Sequence, residues 1–138
     1  MRDAAVPADP DLARQRAVVD AFLSAARRGD FDALVAVLHP GVLLRVDADA
    51  GHPEASLLVH GQAAVARQAA KGFRLIFAGP AAEVHPVLVN GSAGVVVTME
   101  GQPFTVISFT VADGKIHGID AIADPGRVRS LAAAVRIA

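Results

Sequence analysis

The sequence has no cysteine, tyrosine or tryptophan among its 138 residues. Without cysteine it can form neither a disulfide framework nor a thiolate metal site. Without tyrosine or tryptophan it has no phenol or indole group for catalysis or for stacking on nucleic acid bases. Its five histidines are scattered, and no two have the i and i+4 spacing of a helical metal site. We therefore predict that it binds no metal and no other cofactor.

The sequence also lacks an excess of positive charge and a long hydrophobic run. It has 13 lysines and arginines against 14 acidic residues, which argues against direct binding to a nucleic acid backbone. Apolar runs such as 91–99 are too short to cross a bilayer, and the N-terminus lacks the pattern of a signal peptide. With 53% hydrophobic residues, we expect one cytoplasmic domain with an ample core and no membrane role.

The first half of the sequence is typical of helices interrupted by one strand. The predicted elements are a flexible leader at 1–10, a helix from 11 to about 28, a short helix around 34–38, a strand at 42–46, a loop at 47–56 and a helix at about 62–71. Gly29 can end the first helix in a left-handed conformation, and Asp30 can cap the second. Everything after Gly72 is predicted to be strand.

Three dipeptides divide the second half: Asn90-Gly91, Glu100-Gly101 and Asp113-Gly114. Each lies between runs rich in valine, isoleucine, threonine and phenylalanine. Asn-Gly and Asp-Gly favour the positive φ angles of two-residue hairpins, so four consecutive antiparallel strands are predicted. The strand at 102–112 is largely apolar on both faces. We therefore expect that one face packs on helices and that the other lines a pocket or meets a second copy or another domain.

Several local sequences resemble the SnoaL-like, or nuclear transport factor 2-like, family. The run 18–23 followed by Arg28-Gly29-Asp30 is similar to that family's first helix and joint, and Gly114-Lys115-Ile116 to its entry into the last strand. The resemblance implies an α+β cone fold, in which N-terminal helices pack on a curved antiparallel sheet. It places the SnoaL-like domain at 11–125 and a C-terminal tail or short helix at 126–138.

A narrower resemblance is to the SnoaL-like C-terminal domain of extracytoplasmic-function (ECF) sigma factors. It is carried by the segments 86–91, 106–111, 114–116, 119–120 and 122–128, together with Gly94. That family's closing Asn/Asp-Pro-x-Lys/Arg-Leu segment faces the sigma regions and modulates them. The resemblance implies regulatory contacts by Asp124, Pro125, Arg127 and Val128, although Gly126 replaces an acidic residue and Val128 a leucine. The family's glycine-rich loop after the first strand is also replaced here, at 47–51.

Isomerase chemistry on this fold is disfavoured by the residues at the expected positions. An isomerase of this kind needs a tyrosine on the first helix to stabilise an enolate oxygen, and the matching residue is Phe22. The aligned position of its general base is Val46, and a shift of one residue to Asp47 reverses the strand face. A solvated loop residue or local turn acceptor is the favoured interpretation of Asp47.

The last strand offers no acid–base pair either, because the odd spacing of His117 and Asp120 places them on opposite faces. By analogy with isomerase-like cones, His117, Ile119 and Ala121 face the pocket, with His117 interpreted as a satisfied or surface histidine rather than a base. The full set of predicted pocket-lining residues is Phe22, Val46, Asp47, Phe73, His117, Ile119 and Ala121. No catalytic residue is predicted.

These observations predict a non-catalytic regulatory C-terminal domain of an ECF sigma factor. Its expected partners are the helical sigma regions and, through them, RNA polymerase. Those regions would precede residue 1, so the sequence is expected to be an excised domain or a stand-alone relative. The alternative is a free-standing SnoaL-like enzyme, of the polyketide cyclase or isomerase type, or a binder of an unidentified small ligand. A homodimer is a further expectation, since a second copy could cover an open sheet face.

Overall fold

The helices begin and end where the sequence provides caps. In the computed structural model, which describes residues 11–47, 56–78, 81–89, 91–134 and 136–137, the side chain of Asp11 accepts hydrogen bonds from Ala13 N and Arg14 N. The first helix ends at Gly29, whose φ of 68° is left-handed, and Asp30 caps the second helix through Ala33 N. The predicted helix stop at Gly29 and the predicted helix cap at Asp30 are both confirmed.

Four helices and seven strands are formed by the described residues. The helices are α1 (Leu12–Arg28), α2 (Phe31–Val37), α3 (Gln62–Ala78) and α4 (Pro125–Ala134). The strands are β1 (Leu38–Asp47), β2 (Leu57–His60), β3 (Ala82–Val89), β4 (Ser92–Met99), β5 (Gln102–Ala112), β6 (Lys115–Ile122) and the two-residue β7 (Arg136–Ile137). The leader predicted at 1–10 and residues 48–55 of the predicted loop lie outside the described residues. None of the helices in the described ranges is both long and apolar enough to cross a membrane.

The four predicted antiparallel strands are present as β3 to β6. Glu100 and Gly101 have φ values of 53° and 79°, and Asp113 and Gly114 have 55° and 72°, as type I′ hairpins require. Gly91 also has a positive φ, while Asn90 lies outside the described residues. The predicted meander is therefore confirmed.

The predicted fold class, N-terminal helices packed on one sheet, is confirmed, with the difference that the sheet is mixed and not antiparallel throughout. Its strand order is β2-β1-β6-β5-β4-β3-β7, and β1 runs parallel to β6. Only strands joined by a tight hairpin are forced to be antiparallel, and β1 and β6 are separated by about half of the chain. The short edge strand β2, which pairs with β1, was not predicted.

Helix α3 is longer than predicted, because it continues through Gly72 to Ala78. Phe73 is 5% exposed and packs in the main core, with Ile76 beside it. A glycine inside a helix costs only about 1 kcal/mol relative to alanine, less than the gain from burying a phenylalanine. The prediction that everything after Gly72 is strand was therefore wrong for the last turns of α3.

The two sheet faces carry separate apolar clusters. The larger cluster lies between the sheet and helices α1 to α3 and includes Ile107 and Phe109 of β5. On the outer face a smaller cluster joins Val106 to Val128 of α4, which is 1% exposed. Part of the second face of β5, which was expected to meet a pocket, another copy or another domain, is thus covered by the chain's own α4.

A buried glutamine ties α1 to the β3–β4 hairpin. Gln15 is 2% exposed, and its side-chain oxygen accepts a hydrogen bond from Ala93 N at 2.9 Å. Beside it, the Arg16 guanidinium donates to the backbone oxygens of Gly94 and Val87. The polar side chains of α1 therefore fix the helix on the sheet.

Substituting Gln15→Leu is expected to lower the free energy of unfolding by about 1–3 kcal/mol, because it leaves the buried Ala93 N–H without this acceptor. Urea unfolding would measure the change. The matched control is Gln102→Leu, at an exposed position, which should cost less than about 0.5 kcal/mol. Equal losses in the two variants would contradict the assigned role of Gln15.

Candidate functional site

An apolar cavity lies between the helices and the inner sheet face. Its volume is about 310 Å³. Its walls come from α1, α3 and strands β1, β2, β5 and β6, with Ala123 after β6. The lining residues are Phe22, Leu44, Val46, Leu57, Gln68, Ala69, Gly72, Phe73, Leu75, Ile76, Phe104, Thr105, Ile107, Ile119, Ala121 and Ala123.

Among the described residues, the cavity lining includes no acid or base. The polar side chains that these residues contribute are those of Gln68 and Thr105. The Thr105 hydroxyl donates to the backbone oxygen of Ile122 at 2.8 Å. Proton transfer needs a titratable group within hydrogen-bond reach of the substrate, and none of the described lining residues supplies one.

Two of the phenylalanines in the cavity lining, Phe22 and Phe73, pack against each other. Phe22 is 2% exposed and meets the rings of Phe73 and Phe109 edge-on, with centroids 6.5 and 5.5 Å away. These edge-to-face contacts fix the Phe22 ring in the core. The α1 position at which an isomerase needs a phenolic hydroxyl is therefore an apolar packing position here.

The mouth of the cavity is also apolar. Leu57 of β2, Leu75 of α3 and Phe104 of β5 all line it, and they are 39%, 66% and 46% exposed. A protein surface seldom exposes several large hydrophobic side chains around one opening. Their presence here favours a binding role for the cavity.

The structure places five of the seven predicted pocket residues in this lining: Phe22, Val46, Phe73, Ile119 and Ala121. Asp47 lies elsewhere, at the end of β1, where its carboxylate pairs with Arg127 Nη1 at 3.3 Å and both side chains are more than half exposed. This corrects its inclusion in the pocket, and the one-residue shift from Val46 explains the difference.

His117 also lies outside the cavity. A register shift in the β5–β6 pairing matches Val111 with Ile116 and Thr110 with Gly118, leaving His117 at a bulge. The extra residue puts both Ile116 and Ile119 in the main core, so counting alternate residues from Ile119 gives the wrong face for His117. The prediction that His117 faces the pocket is corrected accordingly.

At the bulge, His117 stacks on His39 of β1, with ring centroids 4.0 Å apart. His117 Nε2 donates to the backbone oxygen of Ala112, while His39 Nδ1 accepts from Gly41 N. Burial and then the neighbouring His39 lower the pKa of His117, against the opposing effects of the Ala112 carbonyl and Asp113. Within the described ranges, no three histidine, cysteine, aspartate or glutamate side chains are grouped to hold a metal ion.

The lowered pKa of His117 makes stability depend on pH. The folded state disfavours the charged ring. The stability that the neutral His117 ring contributes is therefore fully present above its ordinary pKa of 6.5. It is lost as the pH falls below that value and through the lower pKa of the folded state. When the pH is lowered from about 7.5 to about 5.5, the free energy of unfolding should fall less in His117→Asn than in the wild type. The difference between the two falls should be under about 1 kcal/mol. Urea unfolding at both pH values measures this, with His60→Asn as the control at an exposed histidine. An unchanged pH dependence in His117→Asn would refute the assignment.

A polar cleft of about 600 Å³ lies on the outer face of the sheet, beside the start of α4. Two ion pairs cross it: Arg127 with Asp47, and Arg45 with Asp120 at 3.7 Å. The other lining residues are Val89, Ser92, Ser108, Phe109, Thr110, Ala121 and Ile122. Sequence reasoning missed this polar cleft, although the alternation of Arg45 with apolar Leu44 and Val46 was a signal that it faces outward.

The predicted contact segment 124–128 forms the first turn of α4. Asp124 caps the helix by accepting from Gly126 N and Arg127 N, and Arg127 reaches the polar cleft. Val128 is buried in the outer cluster and is not exposed to another domain. Pro125 begins the helix. Arg127 and Asp124 thus remain as candidates for contact, and Val128 does not.

Comparisons with known proteins agree with this architecture. A protein-family model described as the SnoaL-like domain matches residues 19–119. No curated protein matches the chain significantly. Among solved structures, the Mycobacterium tuberculosis ECF sigma factor SigJ is 26% identical with a TM-score of 0.62, and the match covers 81% of this chain. This chain spans only 42% of the length of SigJ.

Two further structures share the fold. A Kribbella flavida protein provisionally described as a ketosteroid isomerase has 18% identity and a TM-score of 0.54, with 82% of this chain and 79% of that chain covered. A Sinorhizobium meliloti protein provisionally described as a polyketide cyclase has 21% identity and a TM-score of 0.50, with 76% and 93% covered. The family-model match spans more than half of the chain and agrees with helices packed on a curved mixed sheet. The chain therefore belongs to the SnoaL-like domain family.

Proposed function

We propose that this chain is the non-catalytic regulatory C-terminal domain of an ECF sigma factor and acts by docking on the sigma regions. The observation that carries the proposal is the likeness to SigJ, at 26% identity over 81% of this chain. The two other neighbours reported above share only the fold, at 18% and 21% identity. The SigJ match occupies 42% of that protein, as expected for one domain of a longer chain.

The cavity chemistry supports a non-catalytic role. Enzymes that shift protons on this kind of scaffold need a carboxyl, imidazole or phenol directed into the pocket. Here the lining residues in the described part of the chain offer one amide and one hydroxyl, and the hydroxyl is already hydrogen-bonded to the backbone oxygen of Ile122. His117 and Asp47, which could have supplied a base, lie outside the lining.

The polar cleft supplies the docking surface. Interfaces between domains of one chain are more polar than permanent interfaces, and this cleft presents two arginines and two aspartates. The Arg127–Asp47 pair is more than half exposed, so it contributes little to stability and can exchange partners at small cost. Arg127 lies at the first turn of α4, within the segment that resembles the sigma-facing segment of the family.

The direct test is co-elution of this chain with the sigma regions encoded upstream of Met1 in its gene. Arg127→Ala should weaken binding by roughly tenfold, about 1.4 kcal/mol, because it removes a charge from the docking surface. Arg129→Ala is the matched control, since Arg129 is exposed on the same helix and does not line the cleft. Its affinity should match the wild type.

A second candidate function is that of a free-standing SnoaL-like enzyme or small-molecule binder, and the apolar cavity is the observation that favours it. A gene with no sigma regions before Met1, together with turnover of a polyketide-like substrate by the wild type, would establish this candidate and contradict the sigma-domain proposal. An inactive chain that binds the sigma regions would exclude the enzyme.

A further inference from the structure

A second cleft lies between α1 and the strands β3 and β4, and its volume is about 480 Å³. Small-molecule sites in proteins begin at about 300 Å³. On α1 the cleft is lined by Arg16, Asp20, Leu23 and Arg27, whose spacing of three or four residues places them along one face of the helix. None of its described lining residues also lines the apolar cavity. The cleft is therefore a separate site with a different chemistry.

Arg16 lies in this cleft with its charge not neutralised. Its guanidinium donates to the backbone oxygens of Gly94 at 3.1 Å and of Val87 at 3.0 Å, which are neutral acceptors. Among the residues that the structure describes, no carboxylate pairs with Arg16. A guanidinium has five N–H groups, so donors remain for a ligand. A partly buried arginine held in place in this way favours the binding of an anion.

Two more arginines line the cleft at the C-terminal end of α1. The Arg27 guanidinium lies over the Phe77 ring, 4.4 Å from its centroid, a contact that orients the group and leaves its charge unneutralised. Arg28 forms an exposed ion pair with Asp30 at 3.5 Å. Among the described lining residues, Asp20 is the one acidic side chain, so three arginines against one aspartate give a formal charge of +2. The cleft as a whole attracts negative charge.

The sheet side of the cleft is apolar. It is formed by Val84 and Pro86 of β3 and by Val95 of β4. Val95 is 1% exposed and belongs to the main core, so this wall is part of the rigid interior. A hydrocarbon segment placed against it is removed from water, which is favourable. The lining thus suits a ligand that is partly apolar and partly anionic.

The positive charges of the cleft come from two separate places on α1. Arg16 and Arg27 are eleven residues apart on the same helix, which corresponds to about 16 Å along its axis at 1.5 Å per residue. Leu23 lies between them on the same helix face. A compact anion can contact one of these arginines, whereas an elongated ligand with an anionic group at each end can contact both.

We infer that this cleft binds an elongated organic dianion, in which a hydrocarbon segment carries a carboxylate at each end. One carboxylate accepts charge-assisted hydrogen bonds from Arg16, and the other pairs with Arg27 and Arg28. The hydrocarbon segment lies against Val84 and Val95. Binding requires neither a catalytic group nor the sigma regions, so it does not depend on the docking proposed above.

A matched pair of probes tests the ligand class. Sebacate has a carboxylate at each end of ten carbons, and 10-hydroxydecanoate has the same length with one carboxylate replaced by a neutral hydroxymethyl group. In a nuclear magnetic resonance titration of the ¹⁵N-labelled chain, sebacate should shift amide signals within 16–28 and 84–95 in a saturable way. The amides of Leu57 and Phe104, at the mouth of the apolar cavity, should not shift. Sebacate should bind at least about fivefold tighter than 10-hydroxydecanoate.

A double variant tests the location of the second carboxylate. Arg27→Gln combined with Arg28→Gln removes two exposed charges, so the fold should be retained, and circular dichroism checks this. The variant should bind sebacate less than about twofold tighter than 10-hydroxydecanoate, because both probes then have one carboxylate partner, Arg16. The matched control combines Arg74→Gln with Arg129→Gln, at exposed positions outside the cleft lining, and should keep the preference of the wild type.

Three results would overturn the inference. The first is the absence of saturable shifts within 16–28 and 84–95 on addition of sebacate, including shifts found only at the mouth of the apolar cavity or at the polar cleft. The second is binding of 10-hydroxydecanoate as tight as that of sebacate. The third is an unchanged preference for sebacate in the folded double variant. Failure of the sigma-region experiment alone leaves these expectations unchanged, so the two proposals are tested separately.

Discussion

Phe22→Ala is expected to lower the free energy of unfolding by about 3–5 kcal/mol, the largest loss from any single truncation considered for this domain. Phe22 is 2% exposed, and it joins α1 to both Phe73 of α3 and Phe109 of β5. Truncation removes these contacts and enlarges a cavity that already measures about 310 Å³, so collapse of the surroundings can recover little.

The measurement is urea unfolding followed by circular dichroism, because the absence of tryptophan and tyrosine leaves little intrinsic fluorescence. Phe31→Ala is the matched control, since Phe31 begins α2 and is 39% exposed. Its loss should stay below about 1 kcal/mol. A Phe22→Ala loss as small as that of Phe31→Ala would show that Phe22 does not hold the helices on the sheet.

Gly94→Ala should produce the second large effect, a destabilisation of about 2–3 kcal/mol. A Cβ at Gly94 would lie 2.6 Å from the Ile107 backbone oxygen and 2.9 Å from a Val89 methyl group. Backbone atoms of a paired strand cannot move aside cheaply, so β4 and β5 must separate locally. The Gly94 oxygen also accepts from Arg16, which couples this distortion to α1.

Gly118→Ala is the control for Gly94→Ala. Gly118 is also in a central strand, but a Cβ there meets Thr110 at an ordinary 3.6 Å. Removing a flexible glycine from a strand should leave stability unchanged or raise it by up to about 1 kcal/mol. Comparable melting temperatures for the two alanine variants would contradict a steric role for Gly94.

Local turn chemistry explains why the second half was predictable. Glycine after aspartate or glutamate sets two positive φ values, and these fix the hairpin registers without long-range information. Parallel pairing of β1 with β6 depends on contacts between residues some 75 positions apart, such as Leu44 with Ile119. No local sequence pattern specifies that pairing.

The cavity was predicted more accurately than its surroundings. Phe22 could be identified from the apolar spacing of the first helix, and Val46, Ile119 and Ala121 from the family resemblance. His117 was misplaced because a bulge depends on pairing with β5 and leaves no clear mark in β6 itself.

Val128 shows a different difficulty. Its resemblance to a sigma-facing residue suggested exposure, whereas α4 folds back and buries it against Val87, Val96 and Val106. An isolated apolar residue near the end of a sequence does not reveal which surface it will cover. The polar cleft escaped prediction for the same reason, since Arg45 and Arg127 meet their partners only through tertiary contacts.

Hydrogen exchange of this chain with and without its sigma regions tests the regulatory proposal most directly. Docking at the polar cleft predicts slower exchange at the end of β1 and across 120–130, and no change in α3. Arg127→Ala should reduce this protection, and Arg129→Ala should retain it. Unchanged exchange across 120–130 at saturating concentrations of the sigma regions, or protection confined to the mouth of the apolar cavity, would contradict docking through this surface.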